Sequence, residues 1–72
     1  MYRVEQLDED WVVVMSGKLS DDDIIFESER HDDGSWEIRN CNGLTIDNSL
    51  TYEEMMKIMN EECEELNKEE EE

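Results

Sequence analysis

Carboxylates are the residues of this sequence whose number and spacing could do chemistry. The chain has 23 aspartates and glutamates against 6 lysines and arginines, and its formal net charge is -17. Three groups lie in stretches with turn or loop character, and a fourth recurs on one side of a helical pattern. These residues are Asp8, Glu9 and Asp10; Asp21, Asp22 and Asp23; Asp32 and Asp33; and Glu53, Glu61 and Glu64. Such groups can hold a metal ion, transfer protons or bind a cationic partner.

Calcium is the metal to consider first. An EF-hand loop has ligands at positions 1, 3 and 5, a glycine at 6 and a glutamate at 12. With Gly34 at the glycine position, the first ligand would be Glu29 and the second His31. Asn40 then stands where the glutamate should be. We therefore expect weak surface binding of calcium and no dedicated site.

Zinc binding and catalysis are disfavoured as well. His31, Cys41 and Cys63 form no C-x-x-C pair and no ligand cluster, and we expect Cys63 to pack on a helix. A Cys–His nucleophile needs an orienting group and a pocket, which 72 residues can hardly enclose. Solvated turn aspartates lack the contrasting environments that separate the pKa values of an acid–base pair. The sequence predicts no enzyme and no cofactor.

Short strands and one helix are the elements that must position the carboxylates. Strand-forming residues bounded by turn residues predict up to five strands, at residues 1–7, 11–15, 24–30, 36–39 and 44–46. Trp36 and Ile38 are expected to face the core, and Glu37 and Arg39 to face away from it. Asp-Gly at 33–34 and Asn-Gly at 42–43 are hairpin signals, because glycine tolerates positive φ.

A capping box marks the start of the predicted helix. Thr51 is followed three residues later by Glu54, and Leu50 with Met55 makes the matching hydrophobic staple. One apolar stripe then recurs at three- and four-residue spacing, formed by Tyr52, Met55, Met56, Met59, Cys63 and Leu66, with Ile58 at its margin. We expect these methionines to be core residues rather than an adaptable binding surface.

The sequence predicts an α+β fold in a single domain, residues 1–68, followed by a flexible acidic tail, residues 69–72. The domain is expected to be an antiparallel meander of four or five strands with the C-terminal helix packed on one face. Consecutive turns of a meander alternate between the ends of the sheet. The 8–10 and 32–33 groups should therefore meet at one end, and the 21–23 group should lie at the other. Ile25 and Ile58, at the margins of their faces, are candidate contacts for a homodimer.

The net charge indicates which partners are compatible with this chain. DNA, RNA and anionic membranes would repel it, because binding to them depends on lysine and arginine. Its longest apolar run, "WVVVM", is far shorter than the roughly 20 residues of a membrane span. Two cysteines and no hydrophobic leader at Met1 are typical of a cytosolic chain. A basic protein is the natural partner.

A solvated acidic surface, as in a protein adapted to high salt, is the plainer explanation of the charge. The more specific hypothesis is a surface that stands in for a polyanion. Alternate residues of a strand lie about 6.5–7 Å apart, and helical i,i+4 neighbours about 5–6 Å apart. Both spacings are similar to that of successive phosphates on a DNA strand. A protein that binds DNA through lysine and arginine would accept such an imitation.

The size, acidity and strand–hairpin–helix order resemble those of the small acidic DNA mimics that phages make against host machinery. These proteins include inhibitors of uracil-DNA glycosylase, of CRISPR effector nucleases and of the nucleoid protein HU. The stretch "VVMSGKLSDDDIIFESERHDDGSWEI" is similar in layout to a type II anti-CRISPR inhibitor, with its strand, Ser-Gly, acidic loop, strand, Asp-Gly turn and strand. The resemblance to the HU inhibitor is one of size and charge.

The resulting hypothesis is an inhibitor that covers the DNA-binding surface of a basic host protein in the bacterial cytoplasm. The four acidic groups would meet its lysines and arginines. An HU-type nucleoid protein is favoured because it is basic and sequence-tolerant, whereas a nuclease that reads bases demands more particular contacts. An anti-CRISPR nuclease inhibitor is the alternative within this class. An acidic interaction module or a weak calcium-binding protein is the alternative in another class.

Overall fold

A computed structural model of the chain describes residues 1–16 and 24–71. Within these ranges five strands precede one helix: β1 (Tyr2–Asp8), β2 (Trp11–Ser16), β3 (Ile24–Arg30), β4 (Trp36–Asn40), β5 (Thr45–Leu50) and α1 (Tyr52–Glu71). The predicted α+β class is confirmed. Asp21, Asp22 and Asp23 lie outside the described residues, so their position stays a prediction.

The strands form one sheet in the order β1-β2-β3-β4-β5, and every neighbouring pair is antiparallel. This is the expected meander. Gly34 and Gly43 have φ values of +89° and +82°, which is why the hairpin turns after β3 and β4 place glycine there.

The helix packs on one face of the sheet, where alternate strand residues form the core. The core combines residues of three strands and the helix: Val12, Val14, Trp36, Ile38, Leu50, Met55, Met59 and Cys63. Met55 and Met59 are fully buried, as the helical spacing predicted. Burying one such side chain contributes about 1.5–3 kcal/mol. Ser28 lies in the same buried layer. Its hydroxyl donates to the carbonyl of Val12 at 2.9 Å, so this buried polar group has a hydrogen-bond partner.

The predicted capping box is present at the start of α1. The backbone N–H of Thr51 donates to Glu54 Oε1 at 3.0 Å, and that of Glu54 donates to Thr51 Oγ1 at 3.1 Å. Leu50 and Met55, the expected staple, are both buried. The hydrogen bonds hold the carboxylate in its charged form, and the pKa of Glu54 is lowered, first by the backbone of Thr51 and then by its hydroxyl.

Strand β5 is longer and less regular than the expected segment at residues 44–46. It pairs Leu50 with Trp36 and Asp47 with Ile38, with register shifts along the strand, and Ser49 has a φ of +58°. The polar residues between Ile46 and Leu50 have low strand propensity, which hid this continuation from the sequence pattern.

Helix α1 continues to Glu71, and the flexibility of residues 69–72 stays a prediction. No helix in the described ranges is sufficiently long and apolar to cross a membrane.

Candidate functional site: an acidic end of the sheet

The 8–10 and 32–33 turns lie at the same end of the sheet, as the meander predicted. The backbone N–H of Arg30, at the end of β3, donates to the carbonyl oxygen of Asp10 at 2.9 Å. The Arg30 side chain adds a second contact, with its Nε 2.5 Å from Asp10 Oδ1. Asp32 and Asp33 follow directly in the β3–β4 turn, so two turns separated in sequence join in space.

The first turn of helix α1 lies at this end as well. The Tyr52 hydroxyl donates to Gln6 Oε1 at 2.9 Å, just before the 8–10 turn. The rings of Tyr52 and Trp36 meet edge to face, with centroids 5.6 Å apart, and Trp36 begins β4 directly after the 32–33 turn. Glu53 therefore joins the two turns. The partial positive charge of the helix start favours carboxylates there.

We call this region the acidic end and define it by Asp8, Glu9, Asp10, Asp32, Asp33 and Glu53. All six residues are exposed. Sequence reasoning named each of them but did not connect Glu53 with the two turns. The number of strands is the signal that could have made this connection. With five strands, β5 ends at the same end of the sheet as the two turns, and the helix begins there.

Glu61 and Glu64 are exposed on the same helix but do not belong to the acidic end. They lie roughly 12 and 16 Å beyond Glu53 along the helix axis, at about 1.5 Å per residue. The helix runs toward the opposite end of the sheet, where Asn67 contacts Tyr2. The structure thus divides the predicted helix group between two regions.

The carboxylates of the acidic end divide into structural and unengaged ones. Asp8 Oδ1 accepts the backbone N–H of Glu9 at 2.6 Å, and Asp10 is paired with Arg30. Asp33 Oδ1 accepts the backbone N–H and the hydroxyl of Ser35 at 2.9 and 2.7 Å. By contrast, the side chains of Glu9, Asp32 and Glu53 form no hydrogen bond or ion pair with another described residue, although the charges of Glu9 and Asp32 help to raise the pKa of Arg30. Their charge is therefore presented to solvent.

Hydrogen bonding determines the direction of two pKa shifts at this end. The pKa of Asp33 is lowered, chiefly by the hydroxyl and then by the backbone N–H of Ser35. The hydrogen bond to Asp10 and its negative charge raise the pKa of Arg30. Both shifts favour the charged forms at neutral pH.

A second carboxylate cluster lies on the sheet face opposite the helix, and sequence reasoning did not identify it as a site. Arg39 Nη2 is 2.9 Å from Glu27 Oε1 and 2.8 Å from Glu29 Oε2. Arg39 Nε is 3.4 Å from Glu37 Oε2, without the geometry of a hydrogen bond. We call these four residues the arginine clamp. Strand alternation placed their side chains outward, but the cross-strand register that joins them is not local.

A shallow groove of about 350 Å³ connects the acidic end with the arginine clamp. It is lined by residues of both regions and by one aromatic side chain: Asp8, Asp10, Trp11, Glu27, Glu29 and Arg39. Carboxylates therefore continue from the turns onto the sheet face, where Arg39 offsets part of their charge.

Histidine, cysteine and carboxylate side chains are the candidates for metal binding and thiol chemistry in the described ranges. No group of three or more histidine, cysteine, aspartate or glutamate side chains there is arranged to hold a metal ion. Both cysteines are free thiols, with Cys41 exposed in the β4–β5 turn and Cys63 buried in the core. Burial raises the pKa of Cys63, which makes it a poor nucleophile at neutral pH.

Comparison of the chain with family models, curated proteins and solved structures finds no match. The resemblance to phage DNA mimics therefore stays a prediction. Functional inference depends on the chemistry of the acidic end.

Proposed function

We propose that this protein is a DNA-mimic inhibitor that covers the DNA-binding surface of a basic host protein. The observation that carries the proposal is the acidic end, where three separate segments contribute six exposed carboxylates. Their arrangement on two hairpins and a capped helix fixes them relative to one another. A fixed array loses less conformational freedom on binding than a flexible acidic peptide does.

Lysine and arginine side chains that bind DNA phosphates could pair in a similar way with the carboxylates of the acidic end. Neighbouring carboxylates on strands and helices are about 5–7 Å apart, a spacing like that of backbone phosphates. The overall charge of -17 would also steer a basic partner toward the protein before contact. Binding of this kind would be fast and strongly dependent on salt.

Glu9, Asp32 and Glu53 are the carboxylates best suited to make new ion pairs. A partner cation does not have to displace an internal hydrogen bond from any of them. Asp33 and Asp10 have internal partners, so they are expected to define the shape of the surface more than its affinity.

An HU-type nucleoid protein in the cytoplasm of a bacterial host remains the favoured target. Such a protein binds the backbone of DNA with little dependence on sequence, and an array of anions without base edges suffices to compete.

A displacement experiment tests the proposal directly. An HU-type protein is loaded with a fluorescent DNA duplex, and the chain is added at 50, 100 and 200 mM salt, with anisotropy as the readout. We expect release of the DNA and an apparent affinity that falls steeply as salt rises. A polyglutamate peptide of equal net charge is the control for charge without arrangement, and it should release DNA less effectively. Formation of a ternary complex that retains DNA would overturn the proposal.

A further inference from the structure

The two edges of the sheet differ in how they are covered. At the β1 edge, the backbone N–H of Tyr2 donates to Asn67 Oδ1 at 2.8 Å, and Asn67 Nδ2 donates to the carbonyl of Tyr2 at 3.1 Å. The helix side chain thus takes the place of a neighbouring strand at that position. At the β5 edge, residues 45–49 are all exposed. No described element covers them.

Two exposed apolar side chains lie along the β5 edge. Leu44 is 66% exposed and Ile46 is 44% exposed. The Leu44 backbone is fixed, because its N–H donates to Asn40 Oδ1 and its carbonyl accepts the backbone N–H of Asn40, both at 3.0 Å. A partner that covered these two side chains would gain the burial of their apolar surface.

A groove of about 330 Å³ lies beside this edge, between β5 and helix α1. Leu50 and Ile58 supply apolar surface within it. The charged lining residues are Asp47, Glu54, Lys57 and Glu61, three carboxylates and one ammonium group. The groove therefore combines apolar surface with a net negative charge. We call Leu44, Ile46 and the lining of this groove the β5 surface.

We propose that the β5 surface is a second docking site for the same basic partner, resting on the inhibitor function proposed above. Its occupant is a segment of that partner with a large apolar side chain flanked by lysine or arginine. The apolar side chain would contact Leu44 and Ile46, and the cations would pair with Asp47 and Glu61. Charge complementarity with the acidic groove is the reason for this choice.

Two other occupants fit the β5 surface less well. A second copy of this chain would bring another charge of -17 against it, and the acidic groove would face repulsion. Addition of a strand from another protein is hindered by the register shifts of β5 and by the left-handed backbone of Ser49. The N–H of Asn48 is also already bonded to Asp47 Oδ1 at 2.9 Å.

This second site has a distinct signature in the salt dependence of binding. Ion pairs at the acidic end determine how steeply affinity falls with salt. Apolar contacts at Leu44 and Ile46 contribute a part of the affinity that salt does not screen. In a plot of log affinity against log salt concentration, loss of ion pairs at the acidic end changes the slope. Loss of the apolar contacts lowers the affinity equally at every salt concentration and leaves the slope unchanged.

The experiment compares wild-type protein with the double variants Leu44→Ser/Ile46→Ser and Glu9→Gln/Asp32→Asn. Affinity for an HU-type protein without DNA is measured by calorimetry at 50, 100, 200 and 400 mM salt. The first variant should be about tenfold weaker at every salt concentration with an unchanged slope, from the lost burial of two apolar side chains. The second should have a shallower slope. Because all four residues are exposed, unchanged melting curves verify that both variants are folded.

The outcomes separate this inference from the proposed function. If wild-type protein releases DNA but Leu44→Ser/Ile46→Ser binds with unchanged affinity, the second site is refuted and the inhibitor function stands. If wild-type protein releases no DNA, both are refuted. If sedimentation shows a wild-type dimer that this variant abolishes, the occupant is a second copy and the inference is wrong.

Discussion

The acidic end and the arginine clamp are built from the same kind of side chain but use its charge differently. At the acidic end, Glu9 and Asp32 are exposed and form no hydrogen bond or ion pair with another described residue; only their charge acts on Arg30. In the clamp, three glutamates share the guanidinium of Arg39 at distances of 2.8–3.4 Å. Carboxylates of the first kind are available to another molecule, whereas those of the second stabilise the sheet. The number of acidic residues does not distinguish these two roles, but variants of each region do.

Removing the cation from the clamp should have the largest effect. Arg39→Met leaves Glu27, Glu29 and Glu37 without their shared partner on a partly buried face. We expect the free energy of unfolding to fall by about 2 kcal/mol, less than for a fully buried pair because the Arg39 side chain is 28% exposed. Urea denaturation measures the change. Arg30→Met, which removes an exposed cation from the acidic end, is the matched control and should be milder; an equal loss in both variants would contradict the distinction.

Neutralising the unengaged carboxylates should weaken binding without weakening the fold. Glu9→Gln/Asp32→Asn is expected to reduce displacement of DNA about tenfold at 50 mM salt, the equivalent of two lost ion pairs with the partner. Its stability should change little, because the loss of attraction to Arg30 and the relief of repulsion among the carboxylates oppose each other. The control variant Glu65→Gln/Glu69→Gln removes the same charge from two exposed positions of helix α1 that lie away from the acidic end. If that control loses as much affinity, net charge and not the acidic end determines binding.

Weakening the helix cap tests how much the hydrogen-bonded start of α1 contributes to stability. Thr51→Ala removes the hydroxyl that accepts the Glu54 N–H and should lower the free energy of unfolding by about 1 kcal/mol. Thermal melting followed by circular dichroism measures this loss. Thr51→Ser keeps the hydroxyl and should be close to wild type. A Thr51→Ala protein as stable as wild type would mean that the cap contributes nothing.

The smallest effect concerns pH. The pKa of Asp33 is lowered in the folded protein from its ordinary value of 3.8, so its charged form stabilises the fold above that value. That contribution is lost as pH falls through the lowered value. Asp33→Asn should therefore be less stable than wild type at neutral pH, and the difference should vanish in acid. Asp32→Asn, which removes a carboxylate without hydrogen bonds, should lack this loss; equal pH profiles of the two variants would contradict the role of Ser35.

Local signals predicted most of the fold. Clustered strand-forming residues gave β2, alternation gave β3, Asp-Gly and Asn-Gly gave the turns after β3 and β4, and the capping box gave the start of α1. These signals depend on residues within a few positions of each other. Strand β5 was predicted too short because its polar residues pair through an irregular register that no local pattern encodes.

The candidate site was predictable only where topology sufficed. The meeting of the 8–10 and 32–33 turns followed from the meander alone. The arginine clamp could not be predicted in this way, because it depends on the register that places Arg39 of β4 directly opposite Glu27 of the neighbouring strand β3. The contribution of Glu53 required a definite strand count, which the pattern left at four or five.

The pairing of Tyr2 with Asn67 has a consequence for the order of events during synthesis. It joins strand β1 to a helix residue 65 positions later. Strand β1 can pair with β2 early, but the outer backbone groups of Tyr2 gain their Asn67 partners only after residue 67 has been made. Contacts so distant in sequence form late in folding. During that interval we expect the net charge of -17 to disfavour contact between the exposed strand edges of two copies.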